Sequence, residues 1–222
     1  MPRPLHRRQE EAHHPRGLHL RQARRPLGLR RRPRSLRPAG SDTVSQVSAF
    51  FLRGINLGGR NRVPMAELRQ LADRLGAGDI ATHLASGNLV CTPPEAPGAF
   101  ADRLTAAVEE TYGFAVPVVT RTAAELAAIL ADDPFAGIAD NPSTELVYLF
   151  AAPVAESGRC ALPLTGGEQA AWADDHVRVW HDRGVHGSKV SHSLLERRLG
   201  FTVTARNVRT LAAVSALCDR AE

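Results

Sequence analysis

Short apolar runs alternate with amphipathic stretches from Gln46 onward, and this pattern predicts strands and helices in a defined order. Four apolar runs predict strands, at 46–52, 80–85, 89–92 and 116–120. Two amphipathic stretches predict helices, one beginning at Pro64 and one ending near Gly113. The order strand-helix-strand-strand-helix-strand is that of a ferredoxin-like domain, or α/β plait. It predicts a four-stranded antiparallel sheet with two helices on one face.

A second α+β pattern follows in residues 145–222, which are as many residues as 44–121. Its predicted strands are at 146–151, 177–181 and 201–204. Its predicted helices are a short one at 167–172 and longer ones at 191–199 and 208–218. We therefore predict an α+β fold with two ferredoxin-like subdomains, the second of them degenerate.

Composition and turn residues divide the chain into four parts. A tail rich in Arg and Pro occupies residues 1–43, and the first subdomain with a trailing helix occupies 44–131. A linker rich in Asp, Asn and Pro spans 132–144, and the second subdomain spans 145–222. The trailing helix is predicted from a capping box that Thr122 opens.

The positive charge of the chain is concentrated in the tail. The formal net charge is +5, yet residues 1–43 hold 12 arginines and only three acidic residues, so the remainder is mildly acidic. Repeated prolines exclude a regular helix there, and we expect the tail to be disordered. Two interpretations are open: a basic arm that contacts nucleic acid, or a mis-called start in a GC-rich gene whose true start codon is that of a valine such as Val44 or Val47.

Several classes of protein are excluded by what the sequence lacks. No run approaches the ~20 apolar residues of a membrane span, so we expect no membrane association. The three cysteines lack the spacing of a disulfide or zinc framework, and the histidines between His176 and His192 lack tight zinc-binding pairs. Walker A and dinucleotide motifs are missing. We expect a cytoplasmic protein with no metal and no cofactor, and its oligomeric state is left open.

A Gly-rich loop after the first strand is the strongest candidate site. In a plait the C-terminal ends of the first two strands share one edge, so loop 54–62 is expected beside the turn 86–88. Glycines allow positive φ angles, arginines add positive charge, and a helix N-terminus attracts anions. The alternative is that the glycines only build turns and the arginines are solvated. The predicted anion-binding residues are Arg53, Gly54, Asn56, Gly58, Gly59, Arg60, Arg62, Ser86, Gly87 and Asn88.

A second polar cluster is predicted from Ser188, Lys189, Arg206 and Asn207. Lys189 is the only lysine beside 27 arginines, and a lysine can lose its proton when buried or form a Schiff base. It can also bind phosphate as a point charge, or stand there by chance. Arg206 and Asn207 are equally consistent with the cap of the last helix. No catalytic residue follows from the sequence.

Several segments together resemble the domain-of-unknown-function family 1697 of bacterial proteins. They are 51–59 (FLRGINLGG), 63–69 (VPMAELR), 85–90 (ASGNLV), 187–189 (GSK) and 204–210 (TARNVRT). The resemblance covers about 46–220 and implies two α/β-plait subdomains, but no established activity, cofactor or catalytic residue. The chain departs from the family pattern at His83, Ala85 and Val208, where Tyr, Gln and Trp are common.

Three hypotheses of function follow. The first is a cytosolic protein that binds an anionic ligand, bearing phosphate or carboxylate, at the Gly-rich edge. The second is an enzyme that acts on such a ligand with Lys189 and arginines. The third is a nucleic-acid-binding protein that relies on the basic tail. If the tail is absent, the acidic remainder of the chain argues against this third hypothesis.

Overall fold

A computed structural model of the chain describes residues 46–221, and the predicted tail at 1–43 lies outside them. The described residues form two four-stranded antiparallel sheets and five α-helices, which confirms the predicted α+β class. None of the helices within 46–221 is long and apolar enough to cross a membrane.

The first half contains four strands and three helices. They are β1 (Ser48–Leu52), α1 (Met65–Arg74), β2 (Gly78–His83), β3 (Asn88–Thr92), α2 (Pro97–Tyr112), β4 (Val118–Thr122) and α3 (Ala123–Ala131). The strand order is β2-β3-β1-β4, and every neighbouring pair is antiparallel. Helix α3 begins with the predicted capping box, in which Thr122 and Glu125 each accept a backbone N–H of the other.

The second half repeats this arrangement with one helix fewer between its first two strands. Its elements are β5 (Glu145–Phe150), β6 (Gln169–Trp172), β7 (His176–Trp180), α4 (His192–Leu199), β8 (Val203–Asn207) and α5 (Val208–Ala221). The order β6-β7-β5-β8 matches that of the first sheet, and all pairs are again antiparallel. The connection between β5 and β6 contains a 3-10 turn, Glu156–Gly158, whereas the equivalent connection between β1 and β2 contains helix α1.

The short helix predicted at 167–172 is wrong, because most of these residues form the edge strand β6. Ala170 and Trp172, two residues apart, pack on the core of the second half while the backbone pairs with β7. A segment this short does not nucleate a helix by itself, whereas the open edge of β7 supplies hydrogen-bond partners.

The central strands β1 and β5 are buried on both faces and connect three apolar cores. In β1, Phe50 and Leu52 pack against α1 and α2, whereas Phe51 packs on the opposite face. That face meets α3, α5 and the side chains of Val147 and Leu149 in β5. The middle core therefore joins the two halves. The first sheet carries the two predicted helices on one face, and α3 and α5 cover the other.

The buried side chain of Arg178 on β7 forms a hydrogen bond with Asp132, the first residue of the predicted linker at 132–144. Its Nε donates a hydrogen bond to Glu145 at 2.5 Å, and its Nη1 donates to the carbonyl oxygens of Ile129 and Asp132 at the end of α3. A buried ion pair needs such additional acceptors, because an unpaired donor on a buried charge is costly. The side chain therefore ties the end of the first half to the second sheet.

Arg206, next to last in β8, reaches from the second half into the first. Its Nη2 donates to the carbonyl oxygens of Leu52 and Ser86, each at 2.9 Å, and its Nε donates to the side-chain oxygen of Asn88. The guanidinium also lies over the ring of Phe51, 5.6 Å from its centroid. One side chain thus joins the end of β1 to the β2–β3 turn.

Arg121, next to last in β4, makes the reciprocal contact. Its Nη2 donates to the carbonyl oxygen of Phe150 at 3.0 Å and to that of Asp175 at 2.6 Å. Phe150 ends β5 as Leu52 ends β1, and Asp175 lies in the β6–β7 turn as Ser86 lies in the β2–β3 turn. The two halves therefore form an internal repeat in which each gives the other an arginine.

Replacing either of these arginines by alanine should lower the free energy of unfolding by about 3 kcal/mol, because several carbonyl groups at the junction of the halves lose a charged donor. Urea unfolding of Arg121→Ala and Arg206→Ala measures this change. Arg103→Ala is the matched control, since the Arg103–Glu95 pair is solvent-accessible and should contribute under about 1 kcal/mol. Wild-type stability in both test variants would contradict the structural role of the crossing arginines.

Candidate functional site

A cleft of about 410 Å³ lies where loop 54–62 and the β2–β3 turn approach β8 and the start of α4. The predicted loop and turn therefore lie together, and two residues of the predicted second cluster, Arg206 and Asn207, join them. The other polar lining residues are Arg53, Ser86, His192, Thr204 and Thr210, and the apolar ones include Leu52, Ile55, Leu57 and Leu84.

The side-chain amide of Asn56 makes hydrogen bonds to other residues of the protein. Its Nδ2 donates to the carbonyl oxygens of Val63 at 2.9 Å and Ala85 at 2.6 Å, and its Oδ1 accepts from the Val63 N–H at 2.9 Å. The residue adopts a left-handed backbone, φ 54°, that asparagine tolerates well. Asn56 thus holds the loop against the β2–β3 turn.

Asn88 and Gly87 are also engaged by the protein itself. Asn88 is buried, and its Nδ2 donates to the carbonyl oxygen of His83 at 2.9 Å and to the hydroxyl of Ser86 at 3.1 Å. Gly87 has φ 78°, and a β-carbon there would lie 2.8 Å from side-chain carbons of Leu52 and of Ile55. These predicted site residues shape the wall of the cleft.

The tip of the loop is the part that faces solvent. Gly58 and Gly59 adopt positive φ angles, and the Arg60 N–H donates to the carbonyl oxygen of Leu57 at 2.9 Å, which closes a tight turn. Arg60 and Arg62 are exposed, as is the tip around them. Of the predicted arginines, these two are therefore accessible to a ligand without breaking a contact.

Arg53 enters the cleft just after the end of β1 and is paired with an acid from the other half. Its Nη2 lies 2.5 Å from Glu196, and about a quarter of each side chain is exposed. Glu196 also accepts the backbone N–H of Val203 at 3.0 Å, which holds the carboxylate in place. The Nε of Arg53 has no hydrogen-bond partner among the described residues. The guanidinium is thus oriented but only partly satisfied.

His192 is the first residue of α4, behind the N-cap Ser191, whose hydroxyl accepts the Leu194 N–H at 3.2 Å. Burial and the positive charges of Arg53 and Arg206 hold the pKa of His192 below its ordinary value, and Glu196 only partly opposes them. His192 and Glu196 were not predicted as parts of this site, because nothing near them in the sequence indicates that α4 faces loop 54–62.

A second cleft, of about 250 Å³, lies beside Arg121 in the equivalent place of the repeat. Here Ala151 stands where Arg53 stands in the first cleft. The N–H of Ala151 donates to the carbonyl oxygen of Thr202 at 3.0 Å, and that of Arg53 donates to Pro117 at 2.9 Å. A crossing arginine is therefore present in both clefts, whereas the backbone contact at Arg53 does not depend on an arginine, since Ala151 makes the equivalent one.

Residues 46–177 match the sequence model of the family described as "Protein of unknown function (DUF1697)", which covers more than half of the chain. The chain belongs to the DUF1697 family. This confirms the resemblance seen in the sequence. A comparison with curated proteins gives no significant match.

Among solved structures, this DUF1697 chain is similar to the conserved bacterial protein SP0830 from Streptococcus pneumoniae. The two share 20% sequence identity with a TM-score of 0.57, and the match covers 78% of this chain and 98% of that one. Identity at this level supports a shared fold.

The predicted second cluster of the DUF1697 chain is divided between two places. Asn207 caps α5, because its side-chain oxygen accepts the Thr210 N–H at 2.8 Å. Ser188 instead lines a different cleft of about 250 Å³, and Lys189 is exposed. The exposed position of Lys189 does not match the buried lysine that the sequence analysis considered.

A buried acid–histidine pair lies beside Ser188. The Nδ1 of His181 donates to Glu168 at 2.9 Å. Burial alone would raise the pKa of Glu168, but hydrogen bonds from Ser188, Thr165 and His181 lower it below its usual value. Ser188 bonds the carboxylate and not the imidazole, so the three do not form a nucleophile–base–acid triad. Within residues 46–221 there is no group of three or more acidic, His or Cys side chains arranged to hold a metal ion.

Gly87→Ala should destabilise the protein by about 3 kcal/mol, because a β-carbon would overlap Leu52 and Ile55 in a strained backbone. Gly59→Ala is the matched control: its φ is 82°, but open space surrounds it, so strain alone should cost about 1–2 kcal/mol. Thermal or urea unfolding measures both. Equal losses in the two variants would show that close packing at Gly87 is unimportant.

Proposed function

We propose that the DUF1697 chain is a binding protein for a small anionic ligand, whose phosphate or carboxylate group lies in the cleft beside loop 54–62. The observation that carries this proposal is the difference between the two equivalent clefts. The repeat retains Arg206 and Arg121, which hold the fold, whereas Arg53 is replaced by Ala151 without loss of the backbone contact. A charged side chain that the equivalent backbone contact does not require is a candidate to bind a ligand.

The charges around the cleft support an anion. Arg53 and Arg206 line the cleft, Glu196 is paired with Arg53, and the loop adds the exposed Arg60 and Arg62. The first turns of α4 and α5 also line the cleft, at His192 and Thr210, and helix N-termini favour negative charge. The local balance is therefore positive although the described part of the chain is mildly acidic.

Arg53 is the group that we expect to contact the anion. The donors of Arg206 are already used, since its Nη1 donates to Thr204 at 3.0 Å and to the carbonyl oxygen of Ala205 at 2.8 Å, in addition to the contacts of Nε and Nη2. Glu196 acts as the positioning residue that orients the guanidinium of Arg53. A fork of parallel N–H groups suits planar carboxylate and phosphate oxygens.

The supporting architecture is, we infer, a pair of ferredoxin-like plaits, the second lacking its first helix. The identical strand orders and the antiparallel pairing in both sheets support this. Lys189 has no part in the proposed site, because it is exposed outside the cleft, so the enzyme hypothesis that relied on it has no specific support. The hypothesis of nucleic-acid binding relied on the tail, which lies outside the described residues.

Arg53→Ala should weaken anion binding by about 1.5–3 kcal/mol per lost charged hydrogen bond. It should leave the free energy of unfolding nearly unchanged, since a partly exposed ion pair contributes little. Calorimetric titration with sulfate and pyrophosphate measures the affinity. Arg103→Ala, which removes a similar arginine–glutamate pair elsewhere, is the control and should bind as wild type. Unchanged binding in Arg53→Ala would refute the proposal.

Anion binding should strengthen as the pH falls below about 6.5, the ordinary pKa of histidine, because the pKa of His192 in the free protein lies lower than this. In the free protein, burial and the neighbouring arginines lower the pKa of His192, which favours the neutral ring. A bound anion offsets the arginine charges and raises this pKa, so binding takes up a proton. Sulfate is the suitable titrant because its own charge stays constant. His192→Gln should remove the pH dependence, and a slope that persists in this variant would exclude His192 as its origin.

A further inference from the structure

Leu84 is held at the mouth of the cleft in an unusual way. It is 59% exposed, and its backbone has φ 56°, a left-handed conformation that leucine seldom adopts. Strained backbone of this kind persists only where the surroundings enforce it, and it is concentrated at functional sites. Hairpin turns often need a positive φ angle, but Gly, Asn or Asp normally supplies it, so the turn by itself does not call for a leucine.

Two asparagine side chains enforce the conformation from either side of Leu84. Asn88 donates to the carbonyl oxygen of His83 at 2.9 Å, and Asn56 donates to that of Ala85 at 2.6 Å. One asparagine comes from β3 and the other from the Gly-rich loop, so separate segments bind the carbonyl groups of the residues on either side of the leucine. The predicted binding residues Asn56 and Asn88 therefore have a definite role, which is to present Leu84 outward.

The cleft continues past Leu84 into a neighbouring cleft of about 520 Å³. The two share Leu84, Asn207 and Thr210 in their linings, so they form one groove. Leu57, which also lines the first cleft, is 60% exposed at the tip of the Gly-rich loop. Two exposed leucines from different loops thus line a groove that Arg53 and Arg206 also line. Its size is that of a site for an organic molecule rather than for an inorganic ion.

We propose that the ligand is an organic anion with an apolar body that packs against Leu84 and Leu57 while its charged group faces Arg53. This inference rests on the proposed anion site and specifies the class of ligand that it takes. The charge of the groove and the exposed leucines together favour an amphipathic small molecule. An inorganic anion would leave both leucines in water.

The test uses 8-anilinonaphthalene-1-sulfonate, an apolar aromatic anion that fluoresces when it leaves water, titrated into the full chain. Sulfate, titrated in parallel by calorimetry, reports on the charged group alone. Leu84→Asn removes the apolar contact while keeping a residue that tolerates left-handed backbone. Leu164→Asn is the matched control, because Leu164 is 40% exposed and lies outside this groove. Arg53→Ala is the third variant, and melting curves confirm that each protein is folded.

Leu84→Asn should weaken the aromatic sulfonate roughly ten-fold, the effect of exposing most of one leucine side chain, and leave sulfate affinity unchanged. Leu164→Asn should change neither, and Arg53→Ala should weaken both. Wild-type affinity for the aromatic anion in Leu84→Asn would overturn the inference. Equal weakening of both titrants in this variant would also overturn it, because Leu84 would then act only through the turn. Wild-type binding of both titrants in Arg53→Ala would instead overturn the proposed anion site itself.

Discussion

The need to satisfy two arginines that cross between the halves shapes the rest of the structure. A guanidinium group that leaves water requires an acceptor for each donor, and strand ends offer carbonyl groups that no ladder partner occupies. Arg206 and Arg121 each direct their Nη2 donors at such carbonyl groups in the other half, and the Nε of Arg121 lies 3.2 Å from the carboxylate of Asp175. Burial lowers the pKa of Arg206 to about 10, which still leaves it charged at neutral pH. The contact also brings the end of β1 and the β2–β3 turn to the cleft.

The internal repeat separates residues that the fold needs from residues that it does not. Arg206 and Arg121 occupy equivalent positions, and each donates hydrogen bonds to the carbonyl group at the end of a central strand in the other half. Arg53 and Ala151 occupy equivalent backbone positions with different side chains, so packing and hydrogen bonding of the main chain do not select the arginine. The second half of the chain thus shows which features of the first cleft the main chain forms without an arginine at this position.

The asparagine side chains make the wall of the cleft rigid. Asn56 and Asn88 connect the Gly-rich loop, the β2–β3 turn and Arg206 through short hydrogen bonds, so the wall of the cleft is organised before any ligand arrives. A preorganised wall loses little conformational entropy on binding. This explains why amide groups that look like ligand contacts in the sequence serve the protein instead.

The sequence alone determined the local features of this protein. Apolar periodicity located seven of the eight strands to within a few residues, and the residues around Thr122 defined the start of α3, because such features depend on neighbours a few positions away. The edge strand β6 escaped prediction, since it exists only because β7 offers it a partner. The pairing of Arg53 with Glu196, 143 residues away, and the placement of His192 beside them were decided by the tertiary structure. The partner of a charged side chain depends on which segments the fold brings into contact, and the neighbouring residues in the sequence do not indicate which segments those are.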